Sequence, residues 1–544
     1  MLGNGSAHAA CPTRRWGDLC ILVALLLAAV FCRLPALLNA GGVHSDAAIV
    51  GLQARHILRG EWAWFIWGTD YQGIVDPLLV AAGFALGGAT PLALMLVPLL
   101  GHLLLVGLTF VTLRRHLDLV AASVATLVVV CTPQAINGVA LYAPRQWGIT
   151  AVVAAVWLLD GAARSRRPLP RYAGGVALGA LALYLDLFTV QFLPGLALFA
   201  LACARDGAAT CALVARRAGA CVLGLAGGLA LLALSRLAVT AGPNQLAVTA
   251  PAPTLVRRNA ALLWDQCLPW LLGYKVYIPG TDLYPALWQP PRAFQVVQLG
   301  GATLLLLGLA GGGVALLTRR LPWPVRRLGG LGCLVGLTSL VGFLVSSSPT
   351  DMWGARYLAP ILWLAPCALV PAAYLLAGWR FPAALAPYLL AALVGGWLGF
   401  GTYVRAGVPI REPRGLAAEE AQLGAALRAR GVRYGAADYW LAYRLTFLWG
   451  ESPVMVPLDP SADRYAPFRR GYEAAPIVAY IYHPSEPRAT PEPCEAWLRG
   501  MGARYERVTV AEFTAFVWER GPRDGEATGC VAAMAAQRAP SAKK

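Results

Sequence analysis

The chain is poor in charge, and poorer still in acid. Only 13% of its 544 residues are charged, and only 28 are Asp or Glu, where an ordinary globular chain carries about 25% charged residues. Lysine is almost missing: Lys275, Lys543 and Lys544 are the full set. There is no Gly-x-Ser-x-Gly, no His-Glu-x-x-His and no phosphate-cradling P-loop, so nothing points to the hydrolases, zinc proteases or nucleotide hydrolases that carry those motifs. Among 12 cysteines no Cys-x-x-Cys or zinc-ligand spacing occurs. Most of them (Cys20, Cys32, Cys131, Cys203, Cys221, Cys333, Cys367) lie inside apolar runs, where a thiol behaves as a small hydrophobe.

What fills the chain instead is apolar. Hydrophobic residues make up 58% of it and the mean hydropathy is +0.58. Runs near 19–38, 92–113, 118–136, 147–161, 172–185, 188–204, 217–239, 296–317, 328–346, 358–378 and 382–402 approach the ~20 residues that a membrane-spanning helix needs. The net charge of +17 comes almost wholly from arginine. Nucleic-acid binding would gather that charge on one polar face; here it sits in short turns between spans, at Arg114-Arg115-His116, Arg164 to Arg171, Arg205 with Arg216-Arg217, Arg319-Arg320 through Arg326-Arg327, and Arg380. Such turns fix topology and meet lipid phosphate. If the apolar stretch 74–88 lies on the surface rather than crossing, every one of these clusters falls on the cytoplasmic side. The first run follows Arg14-Arg15. It is long, and Leu38-Asn39-Ala40 makes a poor cleavage site, so it reads as an uncleaved anchor with a cytoplasmic amino terminus.

This arrangement predicts a mainly α fold of about eleven spans over 1–404, with external loops at 39–91 and 240–294. A soluble extracytoplasmic α/β domain over 405–520 and a disordered tail over 521–544 complete the chain. In the soluble domain, residues 415–430 read as an amphipathic helix. Short β-type runs follow at Val432–Ala437, Val454–Leu458, Ile477–Tyr482 and Phe513–Trp518, with helices around Tyr439–Phe447 and Pro491–Met501. Strands alternating with helices imply a partly parallel sheet. Cys494 and Cys530 lie on the oxidising side of this topology, where a bridge between them would persist; Cys267 falls in a hydrophilic stretch of the second long loop. Trp264, Trp270, Tyr274 and Tyr277 in that loop read as an interfacial aromatic belt, with stacking on sugars the alternative.

The scarce acids are not spread evenly. Four of them, Asp46, Glu61, Asp70 and Asp76, share the first external loop. A single loop acid is ordinarily just solvated; the grouping is what marks this one. Asp46 opens an amphipathic stretch, Ala47 to Leu58, and Asp76 opens an apolar stretch running to Leu86. Two carboxylates at the tops of juxtamembrane helices can activate a hydroxyl acceptor or hold a divalent cation. Asp186, in Tyr184-Leu185-Asp186-Leu187-Phe188, is read as a tight external turn facing the same compartment. An acid in mid-membrane, costly and functional by default, is the alternative.

Asp46-Ala47-Ala48, Gly51, Ala54-Arg55, Ile57-Leu58 and Gly60-Glu61 resemble the first periplasmic loop of the bacterial GT-C glycosyltransferases. These polytopic enzymes are akin to protein O-mannosyltransferases and to the aminoarabinose transferase of lipid A. Tyr71-Gln72-Gly73 through Phe84-Ala85-Leu86-Gly87 resembles the segment that follows in the same group. Arg356-Tyr357-Leu358-Ala359-Pro360 resembles the Arg-Tyr-x-x-Pro feature found late in many members. Ala437-Asp438-Tyr439-Trp440 with Ala442-Tyr443-Arg444 looks like a motif of some relatives and is read here as a helix packed on the sheet. One departure stands out: around Arg145 the loop lacks the acid of the mannosyltransferase pattern.

The resemblance implies an integral membrane enzyme that transfers a sugar from a polyprenyl-phosphate donor to an extracytoplasmic lipid, glycan or protein, with inversion. No Asp-x-Asp is present, which argues against a metal-bridged nucleotide-sugar transferase and suits a lipid-borne donor. Asp46 would be the general base. Asp76 would orient the acceptor or, with Asp46, help bind a divalent cation, the metal dependence being left open. Arg356 and Arg145 would hold the donor phosphate, as planar bidentate donors do; Tyr71, Tyr357 and Asp186 would bind substrate. A plasma-membrane or inner-membrane location follows. The rival reading is a transporter or lipid flippase, for which an internal repeat and mid-membrane helix breaks are expected; no repeat is visible.

Overall fold

The computed structural model describes residues 12–38, 40–141, 145–207, 210–237, 252–277, 287–288, 291–376, 378–398, 415–484 and 490–520. Among these, six helices are long and apolar enough to cross a membrane: Pro91–Arg114, Leu187–Arg205, Cys211–Leu237, Arg292–Leu317, Trp323–Val345 and Met352–Leu375. A seventh arises if Leu119–Val130 and Ala135–Leu141, bent by 87° at their junction, count as one span. The bend follows from Thr132-Pro133, since proline cannot continue the ladder of helical hydrogen bonds. The runs expected near 19–38, 147–161, 172–185 and 382–402 are helical too, at Pro12–Phe31, Gln146–Ala162, Pro168–Leu185 and Arg380–Leu398. They fall short of that standard of length and apolarity, so the count of eleven is not reached by it. The chain is a multi-pass membrane protein built mainly of helices.

Local sequence starts these helices where they start. Thr90 accepts from the Ala93 N–H at 3.2 Å with Pro91 behind it, and Asp118 accepts from the Ala121 N–H at 2.8 Å; both are standard amino-terminal caps. Some of the basic turns do more than face lipid phosphate. Arg115, His116 and Arg327 converge on the fully buried Asp160 at 3.1, 3.0 and 3.0 Å, and Arg327 also pairs with Asp206. Those arginines bind spans to one another from within.

Val75–Gly87 is a separate helix of 13 residues, about 20 Å long and so too short for a hydrocarbon core of about 30 Å. A reporter fused after residue 89 is therefore expected to read external and one after Arg115 cytoplasmic. A cytoplasmic signal at 89 would make 74–88 a true span.

The carboxy-terminal sheet has five strands. They are β1 (Tyr434–Ala437), β2 (Val454–Pro457), β3 (Ile477–Tyr482), β4 (Tyr505–Val510) and β5 (Phe513–Glu519), in the order β2-β1-β3-β5-β4. β1 pairs parallel with β2 and β3, and the β3–β5 and β5–β4 pairs are antiparallel. The partly parallel sheet is as the strand–helix alternation implied, apart from β4 and the helix Ala466–Ala474. Cys494 is disulfide-bonded; Cys530 and the rest of the 521–544 tail lie outside the described residues, as do 401–414 and parts of the second long loop.

This domain does not stand apart. One apolar core runs from Val43, Ala48 and Leu52 of the segment 39–91 through Tyr443, Phe447 and Tyr480 to Trp518. The helix Tyr439–Leu448 packs on the helix Ser45–Leu58. A Cβ on Gly51 would come within 2.6 Å of the Phe447 ring, so a side chain there would push the two helices apart. Arg55 locks the contact, donating to the Phe447 carbonyl at 2.9 Å and to that of Ala89 at 3.1 Å.

Candidate functional site

Where the loop after the first helices and the turns around Arg145 and Arg356 meet the carboxy-terminal domain, a cleft with about 550 Å³ of open space is lined by Asp46, Ile49, Ile66, Trp67, Thr69, Tyr71, Gln72, Arg145, Arg356, Tyr357 and Arg464. Five of the residues singled out from sequence thus share one wall: Asp46, Tyr71, Arg145, Arg356 and Tyr357. Asp46 stands in the first turn of the helix Ser45–Leu58, where the helix end favours negative charge. Arg145 directly precedes the helix Gln146–Ala162. Arg356 and Tyr357 come from the 3-10 segment Met352–Leu358 at the head of a span, whose start Asp351 caps by accepting from the Trp353 N–H at 2.9 Å. The Arg356 guanidinium lies 5.2 Å from the Tyr357 ring centre and donates to its hydroxyl at 3.3 Å.

Two stretches noted separately in the sequence turn out to be one unit. The Gly73 N–H donates to the Tyr184 carbonyl at 2.8 Å and the Leu187 N–H to the Tyr71 carbonyl at 3.0 Å. Any Cβ on Gly73 would lie 2.6 Å from the Tyr184 oxygen, so the Tyr71-Gln72-Gly73 loop seats on the 184–187 turn only with glycine. Asp186 is the expected turn residue. It caps the 3-10 helix Leu187–Phe192 by accepting from the Phe188 N–H at 3.0 Å, and it accepts from Arg145 Nε at 2.9 Å and Gln72 Nε2 at 3.5 Å. It is buried and does not line the cleft. Its carboxylate fixes Arg145, which also lies 4.4 Å from the Phe188 ring centre.

Asp76 is not brought to the cleft wall. It is 1% exposed, and neither carboxylate oxygen has a hydrogen-bond partner among the described residues. Burial, together with the nearby Asp186, pushes its pKa well above the usual carboxylate range. Asp46 is the only carboxylate among the cleft's lining residues, and no group of three or more His, Cys, Asp and Glu side chains among the described residues could hold a metal ion. A magnesium ion can complete its shell with water and substrate phosphate around one carboxylate, but Asp76 is not among the cleft's lining residues, so the two carboxylates do not meet there as a shared cation site.

Sequence reasoning missed Arg464, which enters the cleft from the carboxy-terminal domain. Arg464 Nη1 donates to the Gly68 carbonyl at 2.9 Å and its Nε to Tyr439 Oη at 3.3 Å. Tyr439 Oη in turn donates to Asp46 Oδ1. A basic residue seven positions beyond a short strand gives no sign of this in one sequence.

No family model and no curated protein sequence matches the chain. Its structure is similar to that of ArnT from Cupriavidus metallidurans in the apo state, with a TM-score of 0.56 over 93% of this chain and 98% of that one, at 12% identity. Against ArnT from the same organism bound to undecaprenyl phosphate the TM-score is 0.53, covering 92% of this chain and 98% of that one, again at 12% identity. The chain has the GT-C fold. The first-loop resemblance is therefore borne out at the level of architecture. A weaker likeness, TM-score 0.48 at 13% identity over 86% of this chain and 70% of that one, is to an oligosaccharyltransferase of Archaeoglobus fulgidus in the apo form.

Beside the cleft of this GT-C fold an ionic staple joins the loop to the carboxy-terminal domain. His56 Nδ1 lies 2.8 Å from Glu61 and Nε2 2.9 Å from Glu451, with Arg59 pairing Glu451 at 3.0 Å. Tyr465 donates to Glu61 at 2.8 Å and stacks at 3.9 Å on Trp67, which lines the cleft. Burial opposes charge on His56, but the two carboxylates outweigh it and raise its pKa. The His56 contact lowers that of Glu61, and it lowers that of Glu451 against burial. A raised histidine stabilises fully below its ordinary value near 6.5 and loses that contribution as pH climbs through the raised one; lowered glutamates stabilise above about 4.5. The staple is thus strongest between those limits. Thermal unfolding of the detergent-solubilised protein is expected to show declining stability from pH 6 towards pH 9, with His56→Gln flattening that slope; an unchanged slope in the variant would rule the staple out as its origin.

Proposed function

We propose that the protein is an integral membrane glycosyltransferase that moves a sugar from a polyprenyl-phosphate carrier to an acceptor on the extracytoplasmic side. The observation that carries this reading is the cleft itself. In a GT-C fold, one carboxylate, Asp46, shares a wall with Arg145, Arg356 and Arg464 and with the rings of Trp67, Tyr71 and Tyr357, next to the outer ends of the spans. The carboxylate serves a proton acceptor, the arginines serve a phosphate, and the rings serve a sugar.

The acceptor hydroxyl oxygen attacks the anomeric carbon while its proton passes to the Asp46 carboxylate. The bond from that carbon to the phosphate oxygen breaks, and the electron pair leaves with the polyprenyl phosphate. Arg356 meets the charge that develops there, with Arg145 held beside it by Asp186. Attack opposite the departing phosphate inverts the anomeric centre. Asp76, buried and absent from the cleft's lining residues, is assigned no role as base.

The test is sugar transfer by purified protein from a polyprenyl-phosphate donor, with the anomeric configuration of the product read by NMR. An inverted product supports the reading. Movement of lipid across vesicles with no transfer from any polyprenyl donor would point to a flippase instead.

A further inference from the structure

In open α/β sheets, ligands are met at the carboxyl ends of the parallel strands, near the point where strand order reverses. β1 is that point here, with β2 on one side and β3 on the other. Its carboxyl end leads straight into Asp438-Tyr439, and the segment after β2 carries Arg464. This edge of the domain is docked on the helix that bears Asp46. Ser45 Oγ donates to the Tyr439 carbonyl at 2.6 Å. Tyr439 Oη donates to the Asp46 carboxylate and accepts from Arg464 Nε at 3.3 Å. Arg464 is fixed from behind, its own N–H donating to Tyr443 Oη at 2.6 Å.

We propose that Tyr439 and Arg464 form a two-residue relay by which the carboxy-terminal domain holds the Asp46 carboxylate ionised and aimed into the cleft, so that the domain is a working part of the site. This deepens, and rests on, the reading of Asp46 as general base. Tyr439 is a positioning residue, since it acts through Asp46. A hydrogen bond donated to a carboxylate favours its charged form, and the guanidinium on the tyrosine oxygen polarises that donor. Burial and the adjacent Asp46 push the Tyr439 phenol far above its ordinary range, so it stays protonated and able to donate throughout the working pH range. Arg464 also feels the Asp46 charge directly, as do Tyr71 from the first loop and His44 at the start of its own helix, with Arg145 and Arg356 among the cleft's lining residues.

The experiment is the pH profile of kcat for wild type, Tyr439→Phe, Arg464→Gln and Tyr472→Phe. Tyr472 donates to Tyr480 at 3.1 Å inside the same domain, so its variant weakens the domain without touching Asp46. Loss of the donor should raise the acid limb by about one pH unit in Tyr439→Phe, with a smaller shift of the same sign in Arg464→Gln and none in Tyr472→Phe. If Tyr439→Phe does not fold, Arg464→Gln reads the same limb. Rates that fall in all three variants with the limb in place would overturn the relay and leave a merely structural contact. Full activity in Asp46→Asn would instead sink the underlying assignment of the base, whatever the limb does.

Discussion

Asp46→Asn is expected to lower sugar transfer by about 10²–10⁴-fold, the contribution typical of a positioned general base, while protein yield and donor binding persist. Asparagine keeps the shape of the side chain and can still accept the Tyr439 hydrogen bond; what it loses is the capacity to take the acceptor's proton. Asp70 supplies the internal control. It belongs to the same loop but does not line the cleft, and its carboxylate pairs with Arg236 at 3.1 Å. Asp70→Asn should therefore cost no more than a few-fold. Initial rates of the two purified variants at saturating donor decide the matter: equal rates would remove Asp46 from the mechanism.

The second large effect belongs to Arg356. Its side chain is exposed at the head of a span, where a snorkelling interfacial arginine would also sit. The two roles differ in what they cost. A hydrogen bond to a charged partner contributes roughly 1.5–3 kcal/mol, so loss of a phosphate contact should raise the donor KM about 10–100-fold in Arg356→Ala, at one factor of ten per ~1.4 kcal/mol. Lysine restores the charge but not the planar fork, so Arg356→Lys should recover part of the loss. Both KM and kcat unchanged in the two variants would leave Arg356 as an interfacial anchor.

The membrane part was legible because its signal is one-dimensional: long apolar runs punctuated by arginine announce helices and their order. Helix lengths were less so. Thr132-Pro133 bends one span, and several others are too short or too polar to cross by length and composition alone, since packing against neighbours rather than apolar length sustains them. In the carboxy-terminal domain the four apolar strand runs were readable. β4, Tyr505–Val510, was not, because at the sheet edge it turns Glu506 and Arg507 outward, as edge strands do to discourage pairing.

The site divides along the same line. Asp46 and Arg356 stand out by residue type and local motif, and the fold brings both to the cleft. The Asp186–Arg145 pair, by contrast, joins residues 41 positions apart, and the Tyr439–Asp46 contact joins residues 393 apart. Such partnerships are set by docking of whole elements and leave no mark on the residues nearby. Asp76 shows the converse: its acidity is visible in the sequence, and the burial that disfavours its charge is not.

The most direct test of the whole account is an experimental structure of the protein with a polyprenyl phosphate bound. The account predicts the phosphate within hydrogen-bonding distance of the Arg356 guanidinium, the lipid tail leaving between the outer ends of the spans, and the Asp46 carboxylate across the cleft with room between for a sugar. A phosphate seated away from this cleft, among the arginine-rich turns between spans for instance, would contradict it.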